Sequence, residues 1–392
     1  MKIDILIRNL FFILFALYYA QGIFYPKGTF MSQFLLFMGL SISSFYFFKL
    51  FLLKVKKPFF YIAWTFFFLL NVLGYIFTGS LYNPIHLYMF KGILVYFMPF
   101  YPFYYFVFKE LITSKILTYY FILMLPIIIL QYFLNEQYLI NELDKDIVVN
   151  NLAYAFVSLI PFTFLFKKKI LAYGAILILF YFIISSSKRG AIITGSAGLI
   201  FFMYNQIRTL KIKNRWKGYL ISLLSFFVLI YFIFNFLEAN ELLTERIEHM
   251  REGDSSGRDI IYTNIFNNWY NDNSIIHFLF GYGFASSIEL SGFGILAHND
   301  WLELLSNFGL LGICVYLFFF YSGFSSIKNN TWDVNRKITM LATLSMWLLT
   351  SFFSMGYSSD IGFFRVVLIA YLIGFSENNN KFRKNENSLF YR

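Results

Sequence analysis

The sequence predicts an all-α integral membrane protein with about twelve transmembrane helices. Of its 392 residues, 59% are hydrophobic and only 14% are charged, and the mean hydropathy is +0.62. Apolar runs long enough to cross ~30 Å of hydrocarbon as helices recur along the whole chain. This composition excludes a soluble globular protein, which could not bury so much apolar surface.

The predicted spans begin and end where apolar runs meet charged or turn residues. They cover residues 5–25, 30–53, 59–78, 86–108, 115–134, 148–166, 170–186, 190–206, 217–237, 299–322, 337–355 and 360–376. Residues 1–237 thus hold the first nine spans, residues 298–376 hold spans ten to twelve, and residues 377–392 form a basic tail. The shorter spans are expected to cross the bilayer with the help of their flanking residues.

Most of the 32 lysines and arginines fall in alternate connections between these spans. Short basic connections stay in the cytoplasm, so both termini are predicted to be cytoplasmic. The net charge of +11 follows from this bias beside anionic headgroups and requires no nucleic-acid partner. No cleavage signal follows the first span, which is therefore expected to remain as an anchor. The single cysteine, Cys314, excludes an intramolecular disulfide and a cysteine-based metal site.

Residues 238–297 form the long connection between spans nine and ten, and they are predicted to lie outside the cytoplasm. The segment is too short and too polar to form its own core, so we expect it to cover the bundle as a lid. Within it, a short helix is predicted from Arg258 to Tyr270, with Asp254 or Ser256 as its cap. An arginine after a flexible turn can swing onto a ligand, although a solvated loop arginine is an equally good interpretation.

The hairpin between spans seven and eight, residues 185–191, carries basic residues on the outer side, where they are disfavoured. Arg189 and Gly190 begin a helix whose N-terminal amides carry a partial positive charge. With Ser187, Lys188 and Arg189 beside that charge, this helix end is predicted to bind an anion such as phosphate. The alternative is a basic pair that only reaches the membrane interface.

His298 and Asn299 open span ten, and Gly309 and Gly312 follow on the same helix. At 3.6 residues per turn, His298 and the two glycines share one stripe, which predicts close helix packing and a histidine directed into the bundle. A neutral imidazole can accept a hydroxyl proton, so His298 is a candidate general base, while a structural histidine is the alternative. The residues predicted to lie on a different face of this helix are Asp300, Glu303 and Asn307.

These segments resemble the bacterial O-antigen ligase and polymerase family over roughly residues 180–320. The motifs that carry the resemblance are Ser185 to Ala191, Arg258 after Ser-Ser-Gly, and His298-Asn299 with its spacing to Gly309 and Gly312. The resemblance implies a GT-C-type glycosyltransferase bundle acting on polyprenyl diphosphate carriers such as undecaprenyl diphosphate.

The resemblance also implies roles for individual residues. Arg189 and Arg258 match positions that bind the diphosphate in the family, and His298 matches the residue that activates the acceptor hydroxyl. Lys188 stands where the family varies, so its part in diphosphate binding stays open. Asn299 and Ser187 are candidate supporting residues.

Two enzymes and one transporter remain open as functions. The first expectation is a repeat-unit polymerase of O-antigen, capsule or exopolysaccharide, with no metal or other cofactor. The alternative is a ligase that transfers the finished glycan to lipid A-core, and the second alternative is a transporter of lipid-linked sugar or of anions. A transporter would need charged residues through the depth of the bilayer, whereas here they concentrate at the outer face.

The expected location is the bacterial inner membrane, with the active site on the periplasmic face. The expected partners are the glycan donor and acceptor, membrane lipid, and a chain-length regulator and flippase of the same pathway.

Several other polar residues are weaker candidates. Arg365, near the outer end of span twelve, is expected either to pair with an outward acid or to touch the donor. Lys91 is expected at the membrane interface, and the Asp144-Lys-Asp146 triplet is a poor metal motif. His249 and His277 lack the partner spacing of a zinc site.

Overall fold

The computed structural model describes residues 2–24, 29–53, 57–143, 148–210, 257–329, 332–358 and 362–390, together with scattered residues between 212 and 231. Beyond residue 376 only the backbone is described. These described residues form helices, turns and loops and contain no β-strand. The predicted span 217–237 and residues 238–256 fall largely or wholly outside them.

Six helices make up the first part of the bundle. They are α1 (Lys2–Phe24), α2 (Phe30–Leu52), α3 (Phe59–Thr78), α4 (Pro84–Phe97), α5 (Phe100–Phe108) and α6 (Ser114–Leu143). The predicted span 86–108 is divided between α4 and α5, because Pro99 has no amide hydrogen with which to continue α4. Helix α6 runs past its predicted end at residue 134, since residues 135–143 include glutamate, glutamine and leucine, which favour helix.

The second part of the bundle contains long helices and three short ones. They are α7 (Ala153–Leu159, continued as a 3₁₀ helix to Leu165), α8 (Lys169–Ser185), α9 (Arg189–Arg208), α10 (Arg258–Tyr270), α11 (Ile275–Phe280), α12 (Ser287–Leu290), α13 (Asp300–Asn329), α14 (Val334–Phe353) and α15 (Phe363–Phe390). The helix predicted from Arg258 to Tyr270 is confirmed with those bounds. Helix α15 continues past residue 376, since no glycine or proline follows Gly374 to end it.

Aromatic packing holds the centre of the bundle together. Trp64 and Trp347 are fully buried, and the Phe319 ring lies 4.8 Å from the Trp347 ring, edge to face. The first three turns of α15, residues 363–373, are buried on all sides and pack mainly against α5. Apart from Arg365 these turns are apolar on all sides, as expected of a helical segment in the centre of a bundle.

The described helices agree with a membrane protein. Six of them are long and apolar enough to cross a bilayer, namely α1, α2, α3, α6, α9 and α13. Shorter apolar helical segments cover residues 153–165, 169–185 and 363–376. Large apolar side chains remain exposed on many of these helices, as expected of surfaces that face lipid.

Candidate active site

Three segments of the chain meet at the C-terminal end of α14. The Arg258 guanidinium donates a hydrogen bond to the carbonyl oxygen of Phe353 over 3.0 Å. The Asn299 amide donates to the carbonyl oxygen of Phe352 over 3.2 Å. At Gly190, a Cβ would lie 2.6 Å from the Phe353 Cβ, so only glycine allows this approach. The end of α14 therefore brings the hairpin, the start of α10 and the start of α13 to one place.

His298 lies between these segments, on the loop that precedes α13. Its side chain is exposed at the surface, and the protein around it removes part of its hydration. This incomplete solvation lowers its pKa below the usual 6.5, and the positive charges of Arg258 and Lys188 lower the pKa further. The imidazole is therefore neutral and accessible at neutral pH, as a general base requires.

Asn299 fixes the position of the histidine beside it. Its side-chain oxygen accepts hydrogen bonds from the backbone amides of Trp301 and Leu302, at 2.9 and 3.2 Å, and so caps α13. Its amide group meanwhile donates to Phe352. The His298 backbone has a φ of 53°, in the left-handed region, and this conformation turns the chain sharply into the helix.

The hairpin 185–191 joins α8 and α9, as predicted, through a tight turn. Ser186 and Ser187 are fully buried, and Ser187 has a φ of 52°. The Ser187 hydroxyl is buried with no hydrogen-bond partner. Lys188 is the N-cap residue of α9, and Arg189 is its first helical residue. Of these two cations, it is Lys188 whose charge acts on the pKa of His298.

The predicted stripe of His298, Gly309 and Gly312 is wrong. Helix α13 begins only at Asp300, so His298 is outside it, and Gly309 interrupts it with φ 59° and ψ −148°. A helical register cannot be extended through either point. The side chains that face the interior are instead those of Asp300, Glu303 and Asn307, all fully or almost fully buried.

The role of these buried polar side chains was missed by the sequence analysis. Asp300 accepts a hydrogen bond from the Tyr316 hydroxyl and another from the Gly356 amide, both at 2.7 Å. Glu303 accepts from the Ser287 hydroxyl at 2.8 Å and from the Ala297 amide at 2.6 Å. The available signal was a group of acidic residues within an apolar helix, where each needs a partner.

The glycines of α13 differ in their surroundings. At Gly309 a Cβ would lie 2.6 Å from the Leu279 carbonyl carbon and 2.7 Å from the Gly281 nitrogen. Close approach at Gly309 was predicted, but the neighbour is the end of α11 instead of a long helix. At Gly312 a Cβ would meet the carbonyl oxygen of Leu304 at 2.7 Å, within α13 itself. Because Gly309 breaks α13, this contact joins the two helical arms on either side of the break, and a role of Gly312 in packing against another helix stays a prediction.

Arg365 is buried deep in the bundle, with 5% of its surface exposed. Its Nε and Nη1 atoms have no hydrogen-bond partner among the described residues, and its guanidinium lies 5.5 Å from the centre of the Trp347 ring. Its charge interacts with that of Asp300. Within the described part of the chain, no acidic side chain lies within 4 Å of it.

Some of the remaining predicted residues are described by the structure, and the others lie outside its described part. His277 pairs with Asp272, with 2.7 Å between Nδ1 and Oδ2, and Lys91 is exposed on α4. Helix α10 has Gly257 at its N-cap position, with a φ of 76°. The residues that lie outside the described part of the chain are Asp144, Asp146, His249, Asp254 and Ser256.

The fold and the site together define a helical membrane protein with a polar site at one end of its bundle. The family described as O-antigen ligase matches residues 174–317, a segment that contains the hairpin, Arg258 and His298. Over this segment the match confirms the resemblance found in the sequence and supports an assignment to the O-antigen ligase and polymerase family. No curated protein matches the chain.

Proposed function

We propose that the chain is an extracytoplasmic glycosyltransferase that transfers a glycan from a polyprenyl diphosphate carrier to a sugar hydroxyl. The observation that carries the proposal is that the hairpin, Arg258 and Asn299 meet at Phe352 and Phe353, which brings the Lys188 and Arg258 charges to the exposed His298. Two cations supply what an anionic leaving group needs, and a neutral imidazole supplies what a hydroxyl nucleophile needs. The family match supports the same class of reaction.

In this proposal the diphosphate binds at the start of α9. The first backbone amides of α9 point out of its N-terminus, and Lys188 and Arg189 stand beside them. Arg258 is held by a neutral carbonyl at Phe353, and a diphosphate oxygen would be a stronger acceptor for its guanidinium. The unpartnered hydroxyl of Ser187 is a further donor within this hairpin.

The chemical step exchanges one bond at the anomeric carbon. The acceptor oxygen attacks that carbon while His298 takes the hydroxyl proton, and the bond to the diphosphate oxygen breaks. The carrier diphosphate leaves with the bonding electron pair, and the cations stabilise its growing charge. The step requires no metal ion, because the positive charges come from the chain itself.

The proposed topology has twelve spans, cytoplasmic termini and a GT-C-type arrangement in the inner membrane. Residues 238–297 form the lid over the site in this scheme. Its support is the described contact of α10 and α11 with α13, through which Arg258 stays beside His298. A flippase and a chain-length regulator would act before and during transfer.

The direct test is turnover of a lipid-linked donor by the purified chain in liposomes. Arg258→Ala should reduce kcat by about a hundredfold or more, as loss of a transition-state donor does elsewhere. Lys328→Ala, which removes an exposed cation at the far end of α13, is the matched control and should keep full activity. Full turnover by Arg258→Ala would remove this arginine from the mechanism.

The acceptor decides between a polymerase and a ligase. We place the repeat-unit polymerase first because such enzymes serve O-antigen, capsule and exopolysaccharide pathways alike. The ligase, which would transfer the glycan to lipid A-core, is favoured by the name of the matching family, O-antigen ligase. Deletion of the gene separates them: single repeat units on the surface indicate a polymerase, and long chains left on the carrier lipid indicate a ligase.

A transporter of lipid-linked sugar or of anions is the remaining alternative. It predicts transport by proteoliposomes that survives His298→Ala, whereas the glycosyltransferase loses its proton acceptor in that variant. If the His298→Ala protein transported its substrate but transferred no glycan, the transporter would replace the glycosyltransferase as the proposed function.

We propose that Arg365 supports the candidate site from the interior of the bundle. Two of its nitrogens find no partner among the described residues and could receive an anion or water, and its charge acts on Asp300. Arg365→Lys keeps that charge and should retain more activity than Arg365→Ala. Equal activities of the two variants would limit Arg365 to packing.

A further inference from the structure

A recess with basic and apolar lining lies at the opposite end of the bundle from His298. It is an open cleft of about 400 Å³ between the end of α9, the end of α13 and the start of α14. This volume falls in the range of small-ligand sites in proteins. Its lining comprises Tyr204, Arg208, Arg215, Ile327, Val334, Lys337, Ile338 and Leu341.

The direction of three helices fixes where the recess lies. Helix α9 begins at the hairpin of the candidate site and ends at Arg208, and its 20 residues span about 30 Å. Helix α14 runs the other way, from Val334 beside the recess to Phe353 beside Arg258. The recess and the candidate site are therefore separated by the length of a membrane span and are independent of each other.

The recess combines a basic side with an apolar wall. Among the described residues, no acidic side chain lies within 4 Å of Arg208, Arg215 or Lys337. The acidic residue nearest to Lys337 in the sequence is Asp333, and it forms an ion pair with Arg336. The Arg215 Nε is buried without a hydrogen-bond partner.

The aromatic side of the recess positions one of these cations. The Arg208 Nε donates to the Tyr204 hydroxyl over 3.0 Å, and the guanidinium lies 5.5 Å from the centre of the Tyr204 ring. This leaves the other guanidinium nitrogens available for an acceptor. A ligand that fits must therefore carry anionic oxygens together with an apolar portion.

We propose that this recess binds the phosphate headgroup of an anionic phospholipid, with Arg208, Arg215 and Lys337 on the phosphate. Basic recesses between helices at the membrane surface suit such headgroups, since each cation near the surface adds to the attraction. The apolar residues Ile338 and Leu341 contact the adjoining glycerol and acyl carbons. A free phosphate would contact only the three cations and would make no use of the apolar residues.

The experiment compares lipid binding by the purified full-length chain, measured by native mass spectrometry in detergent. Phosphatidylglycerol is titrated against phosphatidylcholine, which carries no net charge. The chain should retain phosphatidylglycerol in preference, and Arg208→Gln/Lys337→Gln should weaken that binding by about tenfold or more. Equal binding of the two lipids by the unaltered chain would overturn the proposal.

The matched control removes the same amount of charge from the same end of the bundle. Lys167→Gln/Lys168→Gln changes two exposed lysines outside the recess and should leave phosphatidylglycerol binding unchanged. If both double variants lost affinity equally, the attraction would be a general surface effect and the assigned site would be wrong.

Two further measurements keep the proposal testable if a charge variant fails to fold. Val334→Trp retains every cation and fills the recess, so it should also lower phosphatidylglycerol binding; unchanged binding would place the lipid elsewhere and overturn the site. Excess inorganic phosphate should fail to displace the lipid. Displacement at equal concentration would assign the recess to soluble phosphate instead.

Discussion

At His298, two requirements of a general base are met by different neighbours. Surrounding protein and two nearby cations keep the imidazole neutral, while the exposed position of the ring leaves it open to a ligand. A lower pKa also makes a weaker base, and in the proposed reaction the same cations compensate by stabilising the leaving group. Lys188 and Arg258 are thus expected to influence both the ionisation of His298 and the rate.

Removing the charge of Lys188 should shift the pH dependence of transfer. Burial contributes most to the lowered pKa of His298, and the charges of Arg258 and Lys188 add to it. Lys188→Gln removes one positive charge, so the pKa should rise and the acidic limb of kcat/KM should move to higher pH. The measurement is a pH–rate profile, with Lys115→Gln, an exposed lysine on α6, as the control. An unmoved limb would show that the charge of Lys188 does not act on the catalytic base.

Asn299 is expected to act through the position of His298. Asn299→Ala removes the cap of α13 and the hydrogen bond to Phe352, and should cost about 1 kcal/mol of stability together with much of the activity. Asn299→Ser restores a capping oxygen but is too short to reach Phe352, so it should recover stability without recovering kcat. Thermal unfolding and turnover, measured on both variants, test this division. Recovery of both properties by serine would limit Asn299 to helix capping.

At the scale of elements, the sequence predicted what local patterns determine and missed what distant contacts determine. The bounds of α10, Arg258–Tyr270, followed from turn and apolar residues within the segment itself. The break of α13 at Gly309 depends on Leu279 and Gly281, which come from a different part of the chain. No helical periodicity could predict that contact, and the predicted stripe on α13 failed for this reason.

The same distinction applies to the candidate site. Its three segments were found from residue types and spacing, because positive charge on a predicted outer connection is unusual. Their common anchor, the carbonyl oxygens of Phe352 and Phe353, could not be found, since backbone acceptors leave no trace in the amino-acid sequence. The effect of the Lys188 charge on His298 likewise could be recognised only from the three-dimensional structure.

Helix α11 is held against α13 through the break at Gly309. The backbone amides of Tyr282 and Gly283 donate to the carbonyl oxygens of Ser306 and Asn307, at 2.8 and 3.2 Å, which the break leaves free. These bonds tie the segment after α11 to the first turns of α13. The loop that carries the candidate site is therefore attached to the bundle at this point.

Gly309→Ala should disrupt this attachment. The added Cβ would lie within 2.7 Å of the Leu279 carbonyl carbon and of the Gly281 nitrogen, and φ there is 59°. We expect a lower yield of folded protein in membranes, measured by detergent size-exclusion chromatography. Gly174→Ala is the control, because nothing lies within 4 Å of its Cβ and alanine favours a helix by about 1 kcal/mol. Equal yields of the two variants would contradict the close contact.

At the scale of the whole molecule, the two ends of the bundle differ in charge and in chemistry. One end holds the few cations that surround His298, and the other holds the lysine triplet 167–169 and the basic recess. Lys169 bonds to Gln206 near the end of α9, so the triplet and the recess belong to the same end. By the charge bias of membrane proteins, that end is expected to face the cytoplasm.

This orientation can be measured by labelling single cysteines from outside the cell. In a Cys314→Ser background, Asn273→Cys places a thiol at an exposed position between α10 and α11, in the same connection that carries Arg258. Lys167→Cys places one at an exposed position of the basic end. An impermeant maleimide added to intact spheroplasts should label Asn273→Cys alone, and should label Lys167→Cys only after the membrane is permeabilised. The reverse pattern would put the donor site on the cytoplasmic side, where a flipped lipid-linked glycan is absent, and the proposed reaction could not take place there.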